Sequence, residues 1–110
     1  IIGISQGGTL LFNILNNLPR NIGGLFCIKS IYMEKYIKLV NNKNTPIFIF
    51  SGKLDNIYNI NFQKKTFRIL KKRNFILNHT IIDNLDHHKI TNEEHDFIIQ
   101  NFLNCLNVIN

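Results

Sequence analysis

Three places in this 110-residue chain hold residue types that serine-based catalysis requires. The first is Gly3-Ile4-Ser5-Gln6-Gly7, set between the apolar Ile1-Ile2 and the apolar run Thr9-Leu10-Leu11-Phe12. A G-x-S-x-G between a strand and a helix is the pattern of a nucleophile elbow, in which a strained turn lifts the serine hydroxyl clear of the backbone. Gly3 and Gly7 are expected to flank it because a Cβ at either place would collide with the neighbouring strand or helix. The first N–H groups of the following helix have no intrahelical partner, so that of Gln6 is the expected oxyanion donor. By chance such a pentapeptide occurs about 0.04 times in a chain of this length. Its weight therefore depends on whether an acid and a base follow.

A serine hydroxyl needs a base within hydrogen-bond reach and a third group to hold that base. Asp55 lies four residues past the apolar run 47–51, close enough to reach across a strand end. After the next apolar run comes Asp83-Asn84-Leu85-Asp86-His87-His88. Asp83 and Asp86 are too close in sequence to the histidines to orient an imidazole from behind, so Asp55 is the expected acid. His88 is favoured over His87 as the base because it stands just before Lys89-Ile90-Thr91, where Ile90 suits the apolar position ahead of a helix cap. His79, within a strand, and His95, in the first turn of a helix, are expected to be structural or exposed.

These groups have to be positioned by elements. The elbow leads into a helix that Pro19 ends. Leu25-Phe26-Cys27-Ile28 is a short continuous apolar run, as in a strand buried on both faces. Residues 30–44 form a polar excursion with a short helical turn around 33–40. Pro46 opens the clearest strand, Ile47-Phe48-Ile49-Phe50, at a position where a missing donor is tolerated. A helix is predicted over 61–72, with Phe67 and Leu70 inward. A strand follows over 75–82, with polar Asn78, His79 and Thr80 suiting a sheet edge. A last helix starts at Thr91, which with Glu94 makes a capping box, and carries Phe97, Ile98, Phe102, Cys105 and Leu106 on one face. Strands separated by helices or long crossovers imply an α/β fold, mainly a parallel sheet flanked by helices. In such a sheet the loops after the C-terminal strand ends share one edge, which brings Ser5, Asp55 and the histidine pair to one rim.

Composition bounds the rest. At 45% hydrophobic the chain suffices for one small domain and is too short for two. The chain opens within a strand, with no signal peptide or membrane-spanning run, and reads as part of a longer protein. Cys27 and Cys105 have no metal-ligand spacing, and free thiols in a reducing, cytoplasmic setting are expected. The net charge of +6 raises nucleic acid as a partner, but the aromatics fall at core spacings and are not interleaved with the basic residues, so none is expected. Lys64, Lys65, Arg68, Lys71, Lys72 and Arg73 form a basic run that could give weak contact with a membrane surface, although a solvated helix face is the plainer reading.

Gly3-Ile4-Ser5-Gln6-Gly7-Gly8, then 45–55 ending in Asp55, then His88-Lys89-Ile90-Thr91 with Glu94, resembles the phospholipase/carboxylesterase family of α/β-hydrolases, which includes acyl-protein thioesterases and lysophospholipases. The resemblance spans nearly the whole chain and implies that residues 1–110 are the C-terminal part of a single α/β-hydrolase domain. It implies Ser5 as nucleophile, Asp55 as acid, His88 as base and the Gln6 N–H as an oxyanion donor. It further implies hydrolysis of fatty acyl esters or thioesters, on an acylated protein or a lysophospholipid, through an acyl-enzyme and without metal or cofactor. The chain departs from the family pattern at Ser51 in place of the usual His, at His87 and Lys89 around the expected base, and at Ile31 where Gly is frequent. The alternative reading is a truncated, inactive remnant of the same fold, since a second oxyanion donor would come from a loop outside these residues. Oligomeric state has no signature in the sequence.

Overall fold

The computed structural model describes residues 1–88, 95, 96, 98–100 and 102–104. Its elements run β1 (Ile2–Ile4), α1 (Gln6–Asn17), β2 (Leu25–Ile28), β3 (Ile47–Gly52), α2 (Ile60–Lys72) and β4 (Leu77–Ile82). All three strand pairings are parallel and the sheet order is β1-β2-β3-β4. Residues 95, 96, 98–100 and 102–104 are helical. The expected capping box at Thr91 and Glu94, with Phe97, Cys105 and Leu106, lies outside the described residues.

Strand alternation divides the core into two layers. Leu25 and Cys27 of β2, with Ile47 and Ile49 of β3, face Leu11, Phe12 and Leu15 of α1 and Phe67 and Leu70 of α2. Phe26, Ile28, Phe48 and Phe50 face the other way, towards Ile82, Leu85, Ile98 and Phe102. β2 and β3 are buried at every residue, in keeping with the apolar runs 25–28 and 47–50. Sequential strands joined by crossovers of one hand put their helices on one face, and α1 and α2 share the first layer accordingly. β4, at the sheet margin, is half-wet as its polar residues predict.

Local chemistry sets the ends. Leu18 takes an extended ψ of 147° ahead of Pro19, which closes α1. The Asn59 side chain accepts from the Asn61 N–H and starts α2 one residue earlier than predicted. Asn74, with φ 67°, takes the left-handed place that follows a helix end. The excursion 29–46 contains a turn in which the Ile37 N–H donates to the Met33 carbonyl, and a second in which the Thr45 N–H donates to that of Asn42. It is anchored by buried Tyr32, whose ring meets Phe12 edge-on and whose hydroxyl accepts from the Leu39 N–H.

Candidate active site

The parallel ladder extends one residue past each strand, and this brings the loops to one rim. The Ser5 N–H donates to the Ile28 carbonyl, the Lys29 N–H to Phe50 and the Lys53 N–H to Ile82, at 2.8, 2.8 and 2.9 Å. Ser5, the Asp55 loop and the residues after β4 therefore leave the sheet side by side at its C-terminal edge, where sites form in such sheets.

Ser5 has φ 55° and ψ −121°, a conformation costly to any residue with a Cβ. It is also the N-cap of α1, a place where a serine hydroxyl ordinarily bonds to a helix N–H. Here it makes no such bond; the Oγ lies 2.8 Å from His87 Nε2. The bend requires Gly3, because a Cβ there would stand 2.7 Å from the backbone of Gly7 and Gly8. Gly7, expected to be equally tight, has open space around it. The crowded partner is Gly8, where a Cβ would overlap the Ser30 side chain. The elbow is thus closed by Gly3 and Gly8, because β2 runs on into Ser30 directly over the second helical residue pair.

Asp55 is 4% exposed and both its carboxylate oxygens are engaged. Oδ1 accepts from the backbone N–H groups of Ile57 and Tyr58 at 2.9 and 2.8 Å, which fixes the plane of the carboxylate. Oδ2 lies 2.9 Å from His87 Nδ1. An ionised carboxylate can only accept, so Nδ1 carries the proton and Nε2 is left to accept from the Ser5 hydroxyl. The ring is half-buried, with Tyr58 edge-on at 5.2 Å.

The structure thus joins Ser5, His87 and Asp55, and it corrects the expectation that His88 would be the third member. Leu85 is fully buried; its carbonyl accepts from the Leu54 N–H, and it packs so close to Gly52 that a Cβ there would overlap the Leu85 carbonyl. This pins the turn after β4 and aims residue 87 at the rim. The Asp86 carboxylate then accepts from the His88 N–H at 2.9 Å, and His88 is exposed. The Ile90 argument that favoured His88 falls on a residue outside those described. Lys29 was not anticipated: it is 2% exposed, has φ 53°, and its Nζ donates to the His87 carbonyl at 3.2 Å. Its only sequence signal is a lysine directly after an apolar strand.

Gln6 is the first residue of α1, so its N–H is one of those lacking a partner within the helix, on the same turn as Ser5 Oγ. His79 lies away from this rim, with Nε2 2.7 Å from Ser51 Oγ and its ring edge-on to Phe67. His95 is exposed. Among the described residues no three His, Cys, Asp or Glu gather as metal ligands would, and no helix is long and apolar enough to cross a membrane.

The sequence profile of the Phospholipase/Carboxylesterase family matches residues 1–107. No curated protein matches the chain in sequence. Among solved structures, a variant of Arabidopsis thaliana SOBER1 superposes with a TM-score of 0.77 at 24% identity, covering 96% of this chain and 52% of that one. Zea mays acyl-protein thioesterase 2 gives 0.71 at 16% identity, with 96% and 55% covered. The Bacillus cereus carboxylesterase gives 0.69 at 20% identity, with 94% and 48% covered. The sheet and its helices are therefore part of an α/β-hydrolase fold, and the chain spans about half the length of the structures it matches.

Proposed function

The chain belongs to the phospholipase/carboxylesterase family, and from that premise we propose that it carries the nucleophile, acid and base of a serine hydrolase acting on fatty acyl esters or thioesters. The observation that carries this reading is the hydrogen-bonded series Ser5 Oγ, His87 Nε2, His87 Nδ1, Asp55 Oδ2 at 2.8 and 2.9 Å. Ser5 Oγ attacks the acyl carbonyl as its proton passes to His87 Nε2, and Asp55 holds the tautomer and stabilises the imidazolium. The carbonyl oxygen, now anionic, lies by the Gln6 N–H. Collapse expels the alcohol or thiol, which takes the proton back from Nε2. Water, deprotonated by His87, then releases the acid from Ser5.

Acylated proteins or lysophospholipids in the cytoplasm are the proposed substrates. Zea mays acyl-protein thioesterase 2, a structural neighbour, supports the first class. Residues 1–110 are proposed to be the C-terminal part of a single hydrolase domain. In support, Ile2 and Ile4 on the outer strand are 52% and 54% exposed, beside an apolar cavity of about 340 Å³ that also involves Phe26, Phe50 and Ile98. A fluorophosphonate probe should label the purified protein at Ser5, and Ser5→Ala should abolish the label. Label persisting in that variant would remove Ser5 as nucleophile.

The same exposed apolar edge favours a second reading, a remnant without activity. One oxyanion donor fewer commonly costs about 10²–10³ in rate. A reading frame that stops immediately before the codon for Ile1, together with absence of labelling, would favour the remnant; a frame encoding further strands would count against it.

A further inference from the structure

Apart from the Ser5 rim, α2 and β4 flank an open hollow of about 330 Å³ lined by Lys64, Phe67, Arg68, Lys71, Leu77 and His79. Lys64, Arg68 and Lys71 recur at i, i+4 and i+7, so they stand on one face of the helix. Helix α2 carries five cations and no carboxylate, and β4 carries no charged residue. Among the described residues no carboxylate pairs with Lys64, Arg68 or Lys71, whereas nearby Arg73 is already engaged by Glu34.

A solvated basic face would need no concavity, and this one has one. Buried Phe67 and partly buried His79 line it, with His79 Nε2 committed to Ser51 Oγ. Cations of one sign around a concave, partly apolar hollow concentrate their field there and recruit an anion. The planar Arg68 fork suits a tetrahedral oxyanion bidentately, with Lys64 and Lys71 as point charges on either side. Phe67 and Leu77 leave room for an apolar substituent. We propose that the hollow between α2 and β4 binds the phosphate group of a phosphoester, separately from the Ser5 rim and whether or not that rim is catalytic.

The bound dianion would also act on His79. Of the charged groups on α2, Lys64 acts on its imidazole, while Arg68 and Lys71 line the same hollow; from β3 the Ser51 hydroxyl bonds to it. Burial and the Lys64 charge hold its titration below the ordinary histidine range. Phosphate among the cations opposes the second cause, so the His79 titration should move up on saturation.

The test is made in Ser5→Ala protein, so that catalysis does not enter. Inorganic phosphate and phenyl phosphate are titrated while the His79 ring proton resonances are followed by NMR at constant ionic strength. Saturable 1:1 shifts, an upward move of the His79 midpoint and at least tenfold weakening in Arg68→Gln support the site. Phenyl phosphate should bind more tightly than phosphate. Shifts that stay linear, match those from chloride or persist in Arg68→Gln would overturn it. Vesicles of phosphatidylglycerol, compared with phosphatidylcholine, separate the sources. Arg68-dependent vesicle binding that phosphate competes away makes the phosphoester a lipid headgroup, and saturable phosphate binding without it makes the phosphoester soluble. Vesicle binding that phosphate does not displace overturns the pocket in favour of a diffuse basic surface.

Discussion

Adjacent histidines differ in which side of the chain they present, and that difference decides which one reaches the Ser5 hydroxyl. Ser5 and Asp55 were legible as members of the hydrogen-bonded series because a motif and a strand end mark them. The histidine between them was not, because the choice rests on the Asp86 bond to the His88 N–H and on the buried Leu85, neither of which has a sequence signature. His87→Ala should cut fluorophosphonate labelling of Ser5 by about 10²–10⁴, the usual contribution of a positioned base. His88→Ala should leave it within about twofold, and the reverse ranking would return the role to His88. Lys29 belongs to the same argument. Its ammonium tethers the His87 carbonyl, so Lys29→Met keeps the apolar stem and drops the tether. Labelling should slow about tenfold, or ~1.4 kcal/mol of barrier. An unchanged rate in a protein that still melts cooperatively would sink that role.

At the scale of elements, the order of strands and helices could be read from apolar runs and their punctuation, since Pro19, Pro46 and the edge character of 77–82 act locally. Close approaches between elements could not. The elbow was expected to need Gly3 and Gly7, yet it is Gly8 that meets Ser30. Gly7→Ala should therefore stabilise the protein by about 0.5–1 kcal/mol, the ordinary gain of alanine over glycine in a helix. Gly8→Ala should destabilise it by about 1–3 kcal/mol through overpacking. Urea unfolding of the two variants checks both, and equal midpoints would refute the packing assignment. The contact between α2 and β4 carries a pH dependence. His79 titrates below its ordinary value because burial, and then Lys64, disfavour the imidazolium. The folded state consequently binds fewer protons than the unfolded one. The stability this confers is complete above the unfolded value of about 6.5 and is lost as pH falls below it. His79→Gln should flatten the loss of stability as pH falls below about 6.5. Parallel slopes for both proteins would exclude His79 as the source.

The described residues form a four-stranded parallel sheet whose first layer is closed by α1, α2 and the Tyr32 excursion, with β2 and β3 at its centre. Long-range pairing of this kind has no interior site that opens without loss of the layer. Cys27 sits in the middle of β2, fully buried, and burial pushes its thiol far above the usual cysteine range. A thiolate is the reactive form, so the folded protein should hold this cysteine inert. Opening it requires β2 to lose β1 or β3, which is nearly the global transition, so its modification should report global unfolding. In a Cys105→Ser background, thiol-reagent labelling should be negligible in native buffer. Its rate should rise with urea along the free-energy slope obtained from circular dichroism. Rapid labelling without urea would mean that the first layer does not close over β2, and the rim that depends on those strand ends would lose its foundation with it.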